Sequence, residues 1–359
     1  MNIAVISPHV HGNGNTTVAA LIAASLAQRN AKVCLTHTKI KSDALFPYYS
    51  ISSAVQRSNP IQVVNLIKGG GMNSTSVPNY CRNVSDRYDI FSLDSDEPDK
   101  IFDEDVADVI NYLARSAPHD YLVIDVDENS FDKASVKAAF NAADCFVLVV
   151  TQKSIEAKLF NDMKKLIVAK TAKKPVIVVV NKFRDMLGSI KDLATSVGLT
   201  NTRQWYTLHS NDNVLYCENT GQLKLLSDKM YERNGDVINV EYDIQHIIQA
   251  LMIIKRESRV VTQIEREQQQ QQQQKKKLKK GETAPEPKAP EISEELRKAM
   301  ENGTAETEVI RNIAPKKKET KEDNRLDFDF DDTDEGYTNR RIGSESEETD
   351  GDDGDTSLG

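Results

Sequence analysis

The sequence predicts an α/β protein in which a doubly wound, mostly parallel sheet is followed by a long disordered acidic tail. Short apolar runs alternate with helical patterns over residues 1–256, and several of these runs consist almost entirely of Val, Ile and Leu. Such runs are expected where helices cover both faces of a parallel strand, and strand–helix alternation is typical of doubly wound folds. The third observation is the acidic charge, which is concentrated towards the C-terminal end.

The elements follow one another regularly along the body. Residues 2–7 form a buried strand, and a loop rich in Gly and Asn leads to a helix over residues 16–28. Further strands are predicted at residues 32–36, 88–93, 120–126, 144–151, 174–180 and 205–208. Further helices are predicted at residues 51–68 with a break before Pro60, 103–115, 153–172 and 242–254, whereas residues 69–87 are expected to be loop-rich. Residues 258–274 are mostly polar and could extend the last helix.

The charge distribution divides the chain into segments. Residues 281–359 hold 24 acidic and 11 basic residues, a net charge of −13, so residues 1–280 carry +4 of the chain total of −9. An acidic segment with few aromatic residues cannot bury enough apolar surface to fold alone. We expect one domain over residues 1–256, a Gln/Lys-rich and Pro-rich linker over 257–290, and a disordered acidic tail over 291–359.

Composition excludes several classes of protein. No apolar run reaches the roughly 18 residues of a transmembrane helix, and the N-terminus lacks the basic region of a signal peptide. The cysteines are widely spaced and form no CxxC pair, which argues against a zinc site and fits a reducing cytosol; they are Cys34, Cys81, Cys145 and Cys217. Residues 1–280, with a net charge of +4, are too weakly basic to indicate nucleic-acid binding. We therefore expect a cytoplasmic protein without a transmembrane segment.

The loop after the first strand carries the strongest functional signal. Residues 9–17 read HVHGNGNTT, and a Gly-rich loop in this place presents backbone N–H groups and a helix N-terminus to a phosphate. The P-loop pattern requires a lysine before the Ser/Thr, whereas Asn15 precedes Thr16 here. Since a hydrogen bond to a charged group contributes about 1.5–3 kcal/mol, we expect nucleotide affinity to fall about 10- to 100-fold. Taken alone, the glycine pattern also fits a tight turn that binds nothing.

A second strand supplies an acid to the same edge of the sheet. The strand over residues 120–126 contains Asp125 near its carboxyl end, and this pairing with a Gly-rich loop is usual for Mg²⁺-nucleotide sites. Thr16 and Asp125 are therefore the candidate Mg²⁺-holding residues. For Asp125, the alternative is a cap on the following helix. His11 and His37 could lie at this edge too, where ordinary polar loop histidines are a simpler interpretation than a metal pair.

Residues 1–256 resemble the MinD/ParA group of P-loop ATPases. The segments that carry the resemblance are SPHVHGNGNTTVAALIAASLAQRNAKVCLTHT, DYLVIDVD, AADCFVLVVTQ, KPVIVVVNKF and SNDNVLYCENTGQ. The resemblance implies ATP or ADP with Mg²⁺ as a weakly bound cofactor, a homodimer, and Asp125 on a Walker B strand. It also implies a deviant Walker A loop at the phosphates, Asn181 at the adenine, and a late loop beside the base; the residues so assigned are Gly12, Asn13, Gly14, Asn15, Thr16, Thr17, Asn181 and Asn211.

The chain departs from that group at three parts of the hydrolytic apparatus. Val10 stands at the signature lysine, Asn15 at the Walker lysine, and the expected acidic switch positions fall near His37 and Lys39. The SPxxxGxGxTT loop and the LTHT strand end are more similar to TadZ/CpaE-like proteins, which localise pilus-assembly or secretion machinery. The resemblance thus implies a localisation or assembly factor with weak or no ATP hydrolysis, and no catalytic residue is assigned. A partition-type ATPase for chromosome or plasmid segregation, and a scaffold without nucleotide, are the alternatives.

Two segments after the body are candidate interaction motifs. Leu326, Phe328 and Phe330 alternate with aspartates, a pattern typical of docking motifs in disordered tails, although random placement explains it equally well. The basic run 275–280 has one apolar residue, Leu278, and so lacks the apolar face of a membrane-surface helix. We expect a solvated linker there and a protein partner at the tail, which would recruit the chain to a cell pole or membrane.

Overall fold

The computed structural model describes residues 1–8, 12–39, 45–50, 60–92, 98–126, 132–153, 174–197, 202–232 and 234–279, with the backbone alone over 259–279. Several sequence predictions lie outside the described residues. They are the positions Val10 and His11, the predicted helix 153–172 from residue 154 onward, the first part of the predicted helix 51–68, and the tail with Leu326, Phe328 and Phe330.

One mixed sheet contains the eight strands of the described residues. In chain order these are β1 Asn2–Ile6, β2 Val33–His37, β3 Arg82–Ser85, β4 Tyr88–Ile90, β5 Tyr121–Asp125, β6 Cys145–Val150, β7 Val176–Phe183 and β8 Trp205–His209. Across the sheet they lie in the order β3-β4-β2-β5-β1-β6-β7-β8. All neighbouring pairs are parallel except β3 and β4, which are antiparallel. The doubly wound, mostly parallel sheet predicted from the sequence is therefore confirmed.

Helices connect and cover these strands. The described α-helices are α1 Asn15–Gln28, α2 Pro60–Lys68, α3 Asp103–Ser116, α4 Ala134–Ala142, α5 Ile190–Ser196, α6 Asp212–Asn219, α7 Leu223–Tyr231 and α8 Ile238–Lys279. Short 3-10 turns lie at Pro47–Tyr49, Val77–Tyr80, Pro98–Lys100, Asp185–Leu187 and Gly235–Val237. Among the described residues, no helix is both long enough and apolar enough to cross a bilayer.

Burial of α1 fixes the position of the loop that precedes it. All residues from Thr17 to Leu26 are buried, and the helix contacts β2, β5 and α8. Its sequence explains this, because Ala, Val, Leu and Ile occur on every side of the helix and an all-round apolar helix belongs in a core. The first turn of α1 is thereby held at the carboxyl ends of β1 and β5.

Three segments differ from the sequence predictions. The expected loop 69–87 contains β3, a short strand whose partner is β4. The expected late loop from Asn211 is largely the helix α6, because the Asn211 side-chain oxygen accepts from the backbone N–H groups of Asn213 and Val214 at 2.9 and 3.3 Å and so caps its start. The last helix runs without a break to Lys279, which confirms the extension over residues 258–274 that the sequence suggested. The difference is that the helix also includes most of the basic run 275–280, where a linker was expected.

Candidate functional site

The Gly-rich loop joins β1 to the start of α1 in a conformation that depends on its glycines. Gly12 and Gly14 have φ angles of 91° and 75°, a left-handed region that residues with a Cβ rarely adopt. Gly14 is the N-terminal cap of α1 and, as a glycine, makes no side-chain cap hydrogen bond to that helix. Because the first N–H groups of a helix have no intrahelical acceptor, this end of α1 presents backbone donors towards the loop.

Asp125 forms the buried centre of the site. It ends β5 opposite Val5 of β1, and its side chain has no exposed surface. The Thr16 hydroxyl donates to Asp125 Oδ2 at 2.6 Å, and the Asn15 amide donates to Asp125 Oδ1 at 2.6 Å. The structure therefore brings together the two residues that the sequence proposes as Mg²⁺-holding, Thr16 and Asp125.

The alternative role of Asp125, a cap on the helix that follows it, is taken by another carboxylate. Asp103 Oδ2 accepts from the backbone N–H groups of Ala134 and Ser135 at the start of α4, the latter at 3.3 Å. The Ser135 hydroxyl donates to Asp103 Oδ1. With α4 capped from α3, the two Asp125 oxygens face Asn15 and Thr16 instead.

Asn15, which the resemblance places at the Walker lysine position, is held by the protein. Besides Asp125, its amide nitrogen lies 3.1 Å from the Val5 carbonyl oxygen and 3.3 Å from that of Val126. An amide nitrogen has two hydrogens, and three acceptors surround this one. The prediction that Asn15 donates to a phosphate stays a prediction, and it requires the amide to leave these acceptors.

The loop is also held from β7. The Asn181 amide donates to the Asn13 carbonyl oxygen at 2.6 Å, and the Lys182 ammonium donates to the Gly12 carbonyl oxygen at 3.2 Å. Asn181 is 5% exposed. Its amide therefore contacts the Gly-rich loop itself, whereas the resemblance places Asn181 at an adenine.

The two residues expected near the base, Asn181 and Asn211, share one small cavity with Thr17 of the loop. Thr17, Asn181 and Asn211 line it together with Leu208, His209 and residues of α6, and its volume is about 10 Å³. That is close to the space for a single water molecule. The Asn211 amide nitrogen also donates to the Asp236 carbonyl oxygen at 2.9 Å. A purine would fit here only if β8 and α6 moved away from the loop.

His37 is neutral and hydrogen-bonded. Its Nδ1 accepts from the Lys39 backbone N–H at 3.2 Å, so the proton is on Nε2, which lies 2.8 Å from the Ser92 hydroxyl oxygen. Burial, followed by the charge of Lys39, lowers the pKa of His37 to about 4. Within the ranges that the structure describes, no three His, Cys, Asp or Glu side chains are grouped as a metal site. His37 is thus a hydrogen-bonded polar side chain at the end of β2, while His11, the other histidine of the considered metal pair, lies outside the described residues.

A Mg²⁺-nucleotide fits this arrangement in part. Three buried polar atoms of the loop region, Asn13 Oδ1, Asn15 Oδ1 and Thr17 Oγ1, have no hydrogen-bond partner among the described residues. Buried polar atoms are rarely left unsatisfied in native proteins, so a bound ligand or water is expected beside them. The Thr16–Asp125 pair also suits Mg²⁺, which prefers oxygen ligands. The lysine charge is the part that is missing.

Solved structures of a ParA family ATPase and of MinD cell-division proteins share this architecture. A ParA family ATPase from Chlorobium tepidum superposes with a TM-score of 0.53 at 16% identity, over 68% of this chain and 95% of its own. The chain has a MinD/ParA-like fold. MinD from Pyrococcus horikoshii complexed with Mg-ADP gives a TM-score of 0.53 at 13% identity, over 70% of this chain and 95% of its own. The MinC:MinD complex of Aquifex aeolicus gives 0.51 at 18% identity, over 70% and 95%.

The likeness is one of structure, since no family model and no curated protein matches the chain by sequence. Within the MinD/ParA-like fold, sequence reasoning missed two contributors to the site. Lys182 follows Asn181 directly in VVVNKF, but nothing in a strand pattern indicates that neighbouring side chains reach the same loop. Ser7 accepts from the Asn13 amide at 2.6 Å, a contact that the loop sequence alone could not show.

Proposed function

We propose that this protein binds ATP or ADP with Mg²⁺ weakly, hydrolyses ATP slowly or not at all, and acts as a localisation or assembly factor for a cellular machine of the pilus or secretion type. The observation that carries the proposal is the Thr16–Asp125 pair at the end of a Gly-rich loop, with the neutral Asn15 bonded to Asp125 where a P-loop has its lysine.

The residues of the site have distinct parts in this proposal. Backbone N–H groups of residues 12–17 would hold the phosphates, while Thr16 and Asp125 would hold Mg²⁺. When bound, Mg²⁺ would neutralise phosphate charge. Asn15 contributes no charge, and enzymes usually gain most of their rate enhancement by stabilising the charge that develops in the transition state. Binding without appreciable turnover follows from that difference.

Known relatives of the fold support the choice of ligand and partner. The Pyrococcus MinD structure is a complex with Mg-ADP, and the Aquifex MinD structure is a complex with another protein, MinC. We infer by analogy that this chain takes a nucleotide, pairs with a second copy, and recruits a protein partner. The tail residues Leu326, Phe328 and Phe330 are proposed to contact that partner.

Titration of the purified full chain with ADP and ATP, with Mg²⁺ or with EDTA, tests the proposal. We expect weak, Mg²⁺-dependent binding that Asp125→Asn reduces, together with steady-state hydrolysis near background. Asn15→Lys is expected to tighten binding about 10- to 100-fold, because it restores a charged hydrogen bond to the phosphates. Asp228→Asn, at an exposed position of α7, is the matched acid-to-amide control for Asp125→Asn.

Each contrary outcome has a clear meaning. Rapid hydrolysis by the wild type would favour the partition-type ATPase. Absence of any nucleotide binding would favour a scaffold. Unchanged affinity in Asn15→Lys would show that the loop does not hold phosphate.

A further inference from the structure

β7 is irregular where it reaches the loop. Its pairing with β8 shifts between Asn181 and Phe183, and Lys182 between them has a φ of 55°. Such a register shift is a β-bulge, and bulges re-aim side chains beside functional sites. A left-handed Lys is a strained conformation that persists only when its surroundings hold it.

The bulge directs two successive side chains at one target. In a regular strand, neighbouring side chains point to opposite faces, but here Asn181 and Lys182 both contact the loop, at the carbonyl oxygens of Asn13 and Gly12. The contact is close, since a Cβ on Gly14 would lie 3.8 Å from Lys182 Cε and 2.4 Å from Asn181 Nδ2.

The segment after the bulge is anchored as well. Gln152, just beyond the end of β6, accepts from the Arg184 backbone N–H at 2.7 Å and donates to the Gly188 carbonyl oxygen at 2.9 Å. The backbone is therefore held immediately after Lys182, and the position of its side chain over the loop is built into the fold.

Lys182 places a positive charge beside a loop that has none of its own. Residues 12–17, GNGNTT, contain no charged side chain. Among the described residues, Lys182 is the cation whose side chain donates to the backbone of that loop. Its partner there is a neutral carbonyl oxygen, and a charge-assisted bond to an anionic oxygen is about twice as strong. A phosphate in the loop would thus compete well for the ammonium, which sits on a flexible four-carbon stem.

We propose that Lys182 supplies, from the bulge in β7, the positive charge that a P-loop carries on its own lysine, and that it binds a phosphate of a nucleoside di- or triphosphate held by the loop. This inference rests on the proposed function. Without ligand, Lys182 holds the Gly12 carbonyl oxygen and keeps the loop ordered. With ligand, it exchanges that acceptor for a phosphate oxygen.

Calorimetric titration with Mg-ADP tests the inference in the full chain. Lys182→Met is expected to weaken binding about 10- to 100-fold, the loss expected for a bond between charged groups, whereas Lys182→Arg should retain most of the affinity. Asn15→Lys combined with Lys182→Met should recover affinity, since the charge returns from the loop side. Lys191→Met, an exposed lysine on α5, is the matched control and should bind like the wild type.

Two further measurements separate charge from structure. The affinity of the wild type should fall with rising salt more steeply than that of Lys182→Met, because salt screens the lost interaction. The melting temperature without nucleotide reports only how much the contact between Lys182 and the Gly12 carbonyl oxygen stabilises the fold. Equal affinity in wild type and Lys182→Met would overturn the role of Lys182 and leave the proposed function standing. If Lys182→Met lowers the melting temperature and Asn15→Lys does not restore its affinity, Lys182 only stabilises the loop and does not bind phosphate. A wild type that binds neither Mg-ADP nor Mg-ATP would overturn the proposed function, and this role with it.

Discussion

Replacing Gly14 by alanine tests how closely β7 packs on the loop. The new Cβ would lie 2.4 Å from Asn181 Nδ2, closer than real contacts allow, so the Asn181 amide must move away from the Asn13 carbonyl oxygen that it contacts at 2.6 Å. The backbone is strained too, because the φ of Gly14 is 75°.

The expected loss has two sources. A left-handed conformation costs a residue with a Cβ about 1–2 kcal/mol. The hydrogen bond that Asn181 gives up contributes about 0.5–1.5 kcal/mol. Gly14→Ala should therefore lower the free energy of unfolding by about 1.5–3.5 kcal/mol, which for a domain of this size corresponds to a melting temperature lower by roughly 3–14 °C.

Gly70 provides a control for the backbone strain alone. Its φ is 67°, but a Cβ there would meet nothing within 4 Å. Gly70→Ala should cost only the conformational part, about 1–2 kcal/mol. Urea and thermal unfolding of both variants measure the difference, which the contact with Asn181 should account for.

A double-mutant cycle completes the assay. In an Asn181→Ala background, Gly14→Ala no longer meets an amide, so its cost should fall to that of Gly70→Ala. If Gly14→Ala and Gly70→Ala destabilise equally in the wild-type background, within about 0.3–0.5 kcal/mol, the close packing of Asn181 on the loop is wrong.

Three further predictions concern pH, chain length and the tail. The pKa of His37 is about 4 in the folded chain, against 6.5 for an unperturbed histidine, so between these pH values the unfolded chain binds a proton that the folded chain does not. The free energy of unfolding should therefore fall as pH drops from 6.5 to 4, by about 3 kcal/mol at most. Urea titrations of His37→Gln over the same pH range should show a smaller fall. A chain ending at residue 256 should still unfold cooperatively near the full-length melting temperature, since the buried side chains described on α8 all precede that point; loss of solubility would show that the later part of α8 packs on the body. In pull-downs, Phe328→Ala/Phe330→Ala should lose the partner that deletion of residues 325–359 also loses. If the double variant keeps the partner and the deletion loses it, the charge of the tail, and not the aromatic pair, is responsible for binding.

Much of the fold could be predicted because its signals are local. The central strands β1, β5, β6 and β7 are nearly continuous runs of apolar residues, buried along their length, and burial on both faces requires such runs. β3 could not be predicted, since its sequence RNVS has one buried residue and the strand exists through its pairing with β4. The short helix α6 was missed for a different reason, because its signal is local: Asn211 caps its start through the N–H groups of Asn213 and Val214, and Asn is a preferred residue at that position.

The sequence by itself determined that Thr16 and Asp125 lie close together. The carboxyl ends of neighbouring parallel strands share one edge of the sheet, so a loop after β1 and an acid at the end of β5 must be close once those strands pair. Only the tertiary structure decided that Asn15 bonds to Asp125 and that Lys182 reaches Gly12. A strand pattern has a period of two and would place Asn181 and Lys182 on opposite faces. The bulge that turns both towards the loop depends on the pairing of β7 with β8, which is a contact between distant parts of the chain.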